Sequence, residues 1–417
     1  MTPQWFTTFG TMLVGALFLT NWPTYQYVIL DGPEPLIFYF IAAILAASVV
    51  ASHPARLLRA VREPLVIWFA FFVITGLIWL LFSGNYHEEE MKQWRLRLLA
   101  FIFFMTSLLL SSEANRPQLA KVILVCALIA AINNWIDFLF PFNFVPQGLE
   151  YSNPGRGAGL LINANQAGHS VIIMIIAALP FLDSRLRGLA LLAMLFGVYP
   201  TFSRGALLFG GAAIVLAALL GQANKRQLGW MALLAPVLVV IGLSMHELGT
   251  ASGEINLANI EERIGFFVSG GQAFDESADE RRYVISLAWR MFTENPLVGE
   301  GIGSTLVEGY GRGTHNMYLM LAAEQGLVGL LLYLSLLWLI LGRGWRIFKQ
   351  GITQQERDIG AALVLLAAYF TFAGLFSHNL LEEPYTLFLL AFLFSAERYA
   401  ARNKRVPDAQ SGESRNA

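Results

Sequence analysis

Long apolar runs alternate with short polar segments along nearly the whole chain. Each run holds roughly 20 residues, the length of an α-helix that crosses the hydrocarbon core of a bilayer. The pattern therefore predicts an all-α polytopic membrane protein with about twelve transmembrane helices. The predicted spans are residues 5–22, 36–52, 64–82, 97–113, 120–140, 164–183, 188–203, 205–221, 228–246, 317–342, 359–377 and 379–397.

The predicted inner loops each carry at least one Lys or Arg when the N-terminus is placed in the cytoplasm. The opposite orientation would send all of these cations to the outer face. The pattern therefore predicts that both termini are cytoplasmic. The inner-loop cations are Arg56, Arg59, Arg62, Arg116, Arg185, Arg187, Lys225, Arg226, Arg343, Arg346, Lys349 and Arg357, and the tail adds Arg398, Arg402, Lys404 and Arg405.

This topology divides the chain into four parts. We predict N-terminal transmembrane helices over 1–245, one large outer-face loop over 246–315, C-terminal transmembrane helices over 316–400 and a disordered cytoplasmic tail over 401–417. The loop is too long for a simple connector, so we expect it to contain short helices and to pack against the transmembrane helices.

One helix can be located inside the large loop. Ser277 and Glu280 are spaced as a capping box, and the apolar residues after them repeat at helical spacing. Pro296 ends the pattern. Arg281 and Arg282 therefore fall in the first turn, where free backbone N–H groups and the helix dipole favour an anion.

The composition agrees with a membrane protein. Hydrophobic residues make up 56% of the chain and charged residues only 14%, and the mean hydropathy is +0.55. These values are too apolar for an ordinary soluble enzyme. A single cysteine, Cys126, excludes an internal disulfide, and its apolar surroundings favour a small core residue.

Several arginines lie on the predicted outer face, against the general tendency of Lys and Arg to lie on the cytoplasmic side. Arg156 lies in "NPGRGAG", Arg204 lies in a short "SRG" turn between two spans, and Arg281 and Arg282 begin the loop helix. A charge at the membrane border needs a partner, and a guanidinium group binds phosphate oxygens bidentately, so a diphosphate is a suitable one. The alternative is that each arginine extends to lipid headgroups or pairs with a loop carboxylate.

Three further outer-face cations, Lys92, Arg95 and Arg97, lie at the outer end of the fourth span. For these three, contact with lipid headgroups is the favoured interpretation.

His315 is the candidate for proton transfer. An imidazole has an ordinary pKa near 6.5, which suits acid–base chemistry at neutral pH. Gly311 and Gly313 precede it and a helix follows, so it lies at a helix start on the outer boundary. The alternative is a structural histidine. Among the other histidines, His169 is expected to pack inside a span, and His246 and His378 are weaker candidates.

No metal site is predicted. The stretch "HEEEM" begins like a zinc-protease motif, but a methionine stands where the second histidine would be.

Four stretches resemble the O-antigen ligase/polymerase superfamily of bacterial membrane glycosyltransferases. "SRGALL" is similar to its S-R-G/A turn, with Arg204 as the arginine. A second similar segment is "RRYVISLAWRMFTENPLVGEGIG", in which an arginine precedes the helix-ending motif N-P-L-x-G-x-G. The spacing selects Arg281 as this arginine, and Arg282 is the alternative. "THNMYLMLAAEQGLVGLLLY" is similar to its H-N-x-Y-L signature, and "GRGAGLLINANQAG" is a looser match. The last two stretches supply His315, Asn316, Tyr318, Leu319, Glu324, Gly326, Gly329, Arg156 and Asn165.

The resemblance implies a GT-C-like architecture and a glycosyl transfer at the periplasmic face of the bacterial inner membrane. The donor would be a glycan on undecaprenyl diphosphate, with its diphosphate bound by the arginines. His315 would act as base, and Asn316, Tyr318, Glu324 and Asn165 would support the site. No cofactor, nucleotide sugar or metal is implied, and the partners are the lipid-linked donor, a glycan acceptor and membrane lipids, without nucleic acid.

The favoured hypothesis is an O-antigen ligase whose acceptor is a sugar of lipid A–core. A polymerase of O-antigen or exopolysaccharide on the same fold is the alternative, followed by a protein O-oligosaccharyltransferase. A lipid-glycan transporter would also fit about twelve spans. Transporters, however, tend to show repeated halves and midplane charges, whereas Asp137 and Glu324 are predicted near the outer border.

Overall fold

The computed structural model describes residues 4–83, 87–112, 115–149, 155–234, 237, 240 and 276–403, and every regular element in these ranges is helical. The helices are α1 (Gln4–Leu19), α2 (Trp22–Leu30), α3 (Pro35–Ser52), α4 (Ala55–Val61), α5 (Pro64–Ser83), α6 (Glu88–Leu110), α7 (Arg116–Leu139), α8 (Ala164–Ala178), α9 (Ser184–Val198), α10 (Arg204–Leu219), α11 (Glu276–Glu294), α12 (Ser304–Glu308), α13 (Met317–Gln350), α14 (Gln354–Ala373) and α15 (Pro384–Asn403). Short 3₁₀ segments lie at Gly159–Leu161, Leu179–Phe181 and Tyr199–Thr201.

The described residues include six helices that are long and apolar enough to cross a membrane. Three shorter apolar helices accompany them, and the protein is therefore a multi-pass membrane protein. The six are Pro35–Ser52, Pro64–Phe82, Glu88–Leu110, Arg116–Leu139, Ala164–Phe181 and Met317–Gln350, and the shorter ones are Trp5–Leu19, Arg204–Leu219 and Pro384–Ser395.

The predicted count of about twelve spans is not confirmed. The run at 188–203 forms Ser184–Val198, which has only 15 residues and carries two arginines. The run at 359–377 begins as a helix at Gln354, with Glu356, Arg357 and Asp358 in its first turns. Most of the ninth predicted span and the loop residues 246–275 lie outside the described residues. The GT-C-like arrangement, the orientation and the periplasmic location of the loop stay predictions.

Two helices form the centre of the molecule. In α15, every residue from Leu387 to Phe394 is at most 1% exposed. In α8, every residue from Val171 to Ala178 is at most 1% exposed. A helix that is apolar on all sides belongs in a core, which explains why these two segments lie innermost. Rigid central helices are suitable supports for a functional site at their ends.

The loop helix before Pro296 is present as α11 and packs against α13. Leu287, Ala288 and Met291 are buried against Ala323 and Leu319. The side chains of the proposed capping box, Ser277 and Glu280, lie outside the described residues. The packing holds the beginning of α11 near the beginning of α13.

Gly326 allows a kink within α13. Its φ of 59° and ψ of −150° lie in a region essentially reserved for glycine. A Cβ at this position would overlap the backbone carbonyl of Leu297. The following amide, Leu327 N–H, donates to Pro296 O at 2.9 Å. The kink therefore ties the chain after α11 to the middle of α13.

Replacing Gly326 with alanine is expected to destabilise the fold, because the backbone strain alone costs about 1–3 kcal/mol. Gly342 in the same helix is the matched control, since an added Cβ there meets nothing within 4 Å. For protein solubilised in detergent, we expect G326A to lower the melting temperature and G342A to leave it unchanged or raise it. Equal melting temperatures for the two variants would contradict this account of the kink.

Candidate functional site

A cavity of about 520 Å³ lies where α8, α10 and α11 begin and where α14 leads into α15. Its size is within the range of roughly 300–1,000 Å³ that is usual for small-molecule sites. Most of the sequence candidates line it. The lining polar residues are Asn163, Asn165, Gln166, His169, Ser203, Arg204, Arg281, Arg282, His315, Tyr369, Ser377, His378, Asn379, Glu383 and Tyr385.

Three guanidinium groups form what we call the cationic wall: Arg204, Arg281 and Arg282. Arg204 is the first residue of α10, and the Ser203 side chain caps this helix by accepting from Ala206 N–H at 3.4 Å. Arg281 is half-buried near the start of α11, and Arg282 beside it is exposed. Residues from distant parts of the sequence thus present positive charge to one cavity.

His315 lies in a tight turn directly before α13. Its φ is 50°, in the left-handed region. The next residue, Asn316, is the N-cap of α13, and its side chain accepts from Leu319 N–H at 3.0 Å. The Thr314 hydroxyl donates to Asn316 O at 3.1 Å. These bonds fix the turn, and the imidazole lines the cavity.

The His315 imidazole is neutral over the physiological pH range. Burial and, to a smaller extent, the positive charge of the Arg281 guanidinium together lower its pKa to about 4. Arg281 and His315 line the same cavity. A neutral ring can accept a proton, and a diphosphate bound beside it would raise the pKa by favouring the charged form.

His378 joins His315 at the cavity. The two rings meet edge to face, with centroids 5.4 Å apart. Burial lowers the pKa of His378 to about 4 as well. Gly313 leaves the space for this ring, because a Cβ there would overlap it. His378 was only a weak candidate in the sequence, since it adjoins a predicted span and has no motif around it.

Arg156 lies behind the cavity and does not line it. Its Nη2 donates to Asn165 Oδ1 at 2.7 Å, and its Nε donates to Thr201 O at 3.0 Å. The side chain is buried, with 8% exposed. Asn165 itself lines the cavity. Arg156 is therefore joined to the cavity through its hydrogen bond to Asn165.

Tyr318 and Glu324 also lie outside the cavity lining. The Tyr318 hydroxyl donates to Thr371 O at 2.9 Å and joins α13 to α14. The Glu324 carboxylate accepts from the Thr305 hydroxyl at 2.7 Å. These contacts hold α13, which begins directly after His315, against its neighbours.

The structure corrects the interpretation of Arg97 as a contact of lipid headgroups. This residue was grouped with Lys92 and Arg95 as a headgroup contact, but its side chain is 1% exposed and pairs with Glu324 at 3.4 Å. Its guanidinium also lies 4.4 Å from the centre of the Phe72 ring. The partner is 227 positions away in the chain, so local sequence could not reveal the pair.

A second group, which we call the polar wall, consists of Gln166, His169, Tyr369, Asn379 and Glu383. Glu383 Oε1 accepts from the Gln166 amide and from Asn379 Nδ2, the latter at 2.5 Å. Burial raises the pKa of Glu383 to about 8, and the neighbouring Glu382 carboxylate contributes.

The hydropathy pattern does not single out Glu383, because it places this residue inside the predicted span 379–397. The paired acids in "LLEEPY" were the available signal, since acidic residues within an apolar run usually serve a function. In the structure, α15 begins only at Pro384. Glu383 therefore lies in the loop before it.

In the part of the chain that the structure describes, no group of three or more His, Cys, Asp or Glu side chains could hold a metal ion.

Comparison with known proteins gives one family match. Residues 189–334 match a family model described as O-antigen ligase. This segment contains Arg204, Arg281 and His315, three residues that the motifs had selected. No curated protein matches the chain.

Proposed function

Residues 189–334 belong to the O-antigen ligase/polymerase superfamily, and from this premise we propose that the protein is an O-antigen ligase. It would transfer a glycan from undecaprenyl diphosphate to a sugar hydroxyl of lipid A–core at the periplasmic face of the bacterial inner membrane. One observation carries the proposal: Arg204, Arg281 and His315 line a single cavity, although they are far apart in sequence.

The cationic wall suits the departing diphosphate. As the bond between the anomeric carbon and the phosphate oxygen breaks, its electron pair and negative charge pass to the diphosphate. Fixed guanidinium groups stabilise this charge without having to reorganise during the reaction. Arg281 and Arg204 are the main donors in this proposal, because Arg282 is more exposed.

His315 supplies the base. The acceptor hydroxyl attacks the anomeric carbon, the new C–O bond forms, and the hydroxyl proton passes to the neutral imidazole. In the protein without bound donor, the low pKa of the His315 imidazole keeps the ring unprotonated. The diphosphate charge then makes the ring more basic when the donor is bound, so that proton acceptance is coupled to donor binding.

Deletion of the gene in its own host tests the proposal. Surface glycans separated on a gel should show lipid A–core without attached polymer, and lipid-linked polymer should accumulate. Complementation with the intact gene should restore the attachment. A core that carries a single repeat unit would instead identify a polymerase, and an unchanged gel would overturn both forms of the proposal.

A further inference from the structure

The cavity contains more polar groups than a diphosphate needs. Its cationic wall provides the donors that phosphate oxygens require. The polar wall is chemically different, because it combines an imidazole, a phenol, two amides and a carboxyl group. A different part of the ligand is therefore expected to contact it.

Two atoms of the polar wall have no hydrogen-bond partner within the described protein. They are the Tyr369 hydroxyl and Nδ1 of His169. The two side chains are 0% and 6% exposed, and their rings meet edge to face at 5.6 Å. Buried polar atoms in folded proteins almost always have a partner, so each exception needs an explanation. Both residues line the cavity, where a ligand could provide that partner.

Glu383 adds a third group that is oriented in advance. The Gln166 amide and the Asn379 amide both donate to Oε1. Within the described residues, Oε2 receives no hydrogen bond. Two donors on one oxygen fix the plane of the carboxyl group and leave its other oxygen available to a ligand.

We infer that the polar wall binds a sugar residue of the transferred or receiving glycan, through the Tyr369 hydroxyl, His169 Nδ1 and Glu383 Oε2. Sugar hydroxyls both donate and accept, so the several hydroxyls of one sugar ring can provide partners for a phenol, a ring nitrogen and a carboxyl oxygen. Phosphate oxygens at neutral pH mainly accept and are served by the arginines. The inference deepens the proposed function and rests on it.

Tyr369→Phe is the most informative variant. It removes one oxygen atom that has no protein partner, so we expect the fold to be as stable as before. Tyr333→Phe is the matched control. The Tyr333 hydroxyl is also buried but donates to Phe370 O at 2.8 Å, and the residue does not line the cavity. The control should lower the melting temperature and leave ligand affinity unchanged.

The assay uses purified full-length protein and measures transfer from extracted lipid-linked glycan to extracted lipid A–core. For Tyr369→Phe, loss of one hydrogen bond should raise one KM by about three- to tenfold. A rise in the donor KM assigns the wall to the donor sugar, and a rise in the acceptor KM assigns it to the acceptor sugar. Glu383→Ala should raise the same KM further. Undecaprenyl diphosphate carries no sugar, so the affinity of both variants for it should stay within about twofold of the wild-type affinity.

The outcomes separate the two proposals. If the wild-type protein transfers glycan and Tyr369→Phe and Glu383→Ala both leave the two KM values unchanged, water alone fills the polar wall and the inference is wrong. If both variants weaken undecaprenyl diphosphate binding as strongly as glycan binding, the wall serves the diphosphate and the inference is also wrong. If the wild-type protein transfers no glycan to lipid A–core, the proposed function itself fails.

Discussion

Replacing His315 with alanine is expected to reduce glycan transfer by roughly 10²–10⁴-fold, the usual contribution of a general base. The loss should appear in kcat, because the ring acts on the attacking hydroxyl and not on donor binding. Transfer is measured with purified protein and saturating donor. Membrane insertion should be unchanged, since the ring is half-buried and Asn316 still caps α13.

His53→Ala is the control for this experiment. His53 is exposed after α3 and does not line the cavity, so its loss should leave transfer unchanged. Near-normal transfer by the His315 variant would remove the imidazole from the proposed role.

Replacing Arg281 with alanine is expected to have the second largest effect. Loss of one donor to a developing negative charge typically costs roughly 10²–10³ in kcat. Arg281→Lys should recover only part of the activity, because an ammonium group lacks the bidentate fork. Binding of undecaprenyl diphosphate should weaken in parallel, which links the loss to the diphosphate.

Two arginines on α11 serve as comparisons. Arg282 lines the cavity but is exposed, so Arg282→Ala should cost less than Arg281→Ala. Arg290 is paired with Glu308 at 3.4 Å on an exposed surface, and Arg290→Ala should leave transfer unchanged. A larger loss for Arg282→Ala than for Arg281→Ala would reverse the assignment of the two neighbouring arginines.

The helices could be predicted from hydropathy, because an apolar run of sufficient length has few other stable conformations in a membrane. The number of spans was harder to predict. Charged residues within α9 and α14, such as Arg187 and Asp358, pair with each other inside the molecule. Such tertiary pairing lets polar positions occur within runs that a hydropathy pattern treats as uniform.

The cavity was predictable where a residue has a distinctive local setting. Arg204 follows a very short turn and His315 precedes a helix, and both line the cavity. His169 was expected to pack within its span, and its ring does pack against Tyr369. Sequence could not show that the same ring also lines the cavity, because this depends on how α8 and α14 meet.

Arg156 and Glu324 illustrate a different limit. Both belong to stretches that resemble the superfamily, and a motif shows which residues recur but not what they contact. In the structure, Arg156 donates a hydrogen bond to Asn165, and Glu324 is bound by Thr305 and Arg97. Their contacts are mostly with residues from other helices, which only the fold brings together.

The most direct test of the central claim is a cryo-electron microscopy map of the protein with undecaprenyl diphosphate bound. We predict that diphosphate density lies in the cavity, within about 3 Å of the Arg204 and Arg281 guanidinium groups and beside His315. The prenyl chain should lead from there to the lipid-facing surface. A diphosphate bound elsewhere, with the cavity empty, would contradict the account.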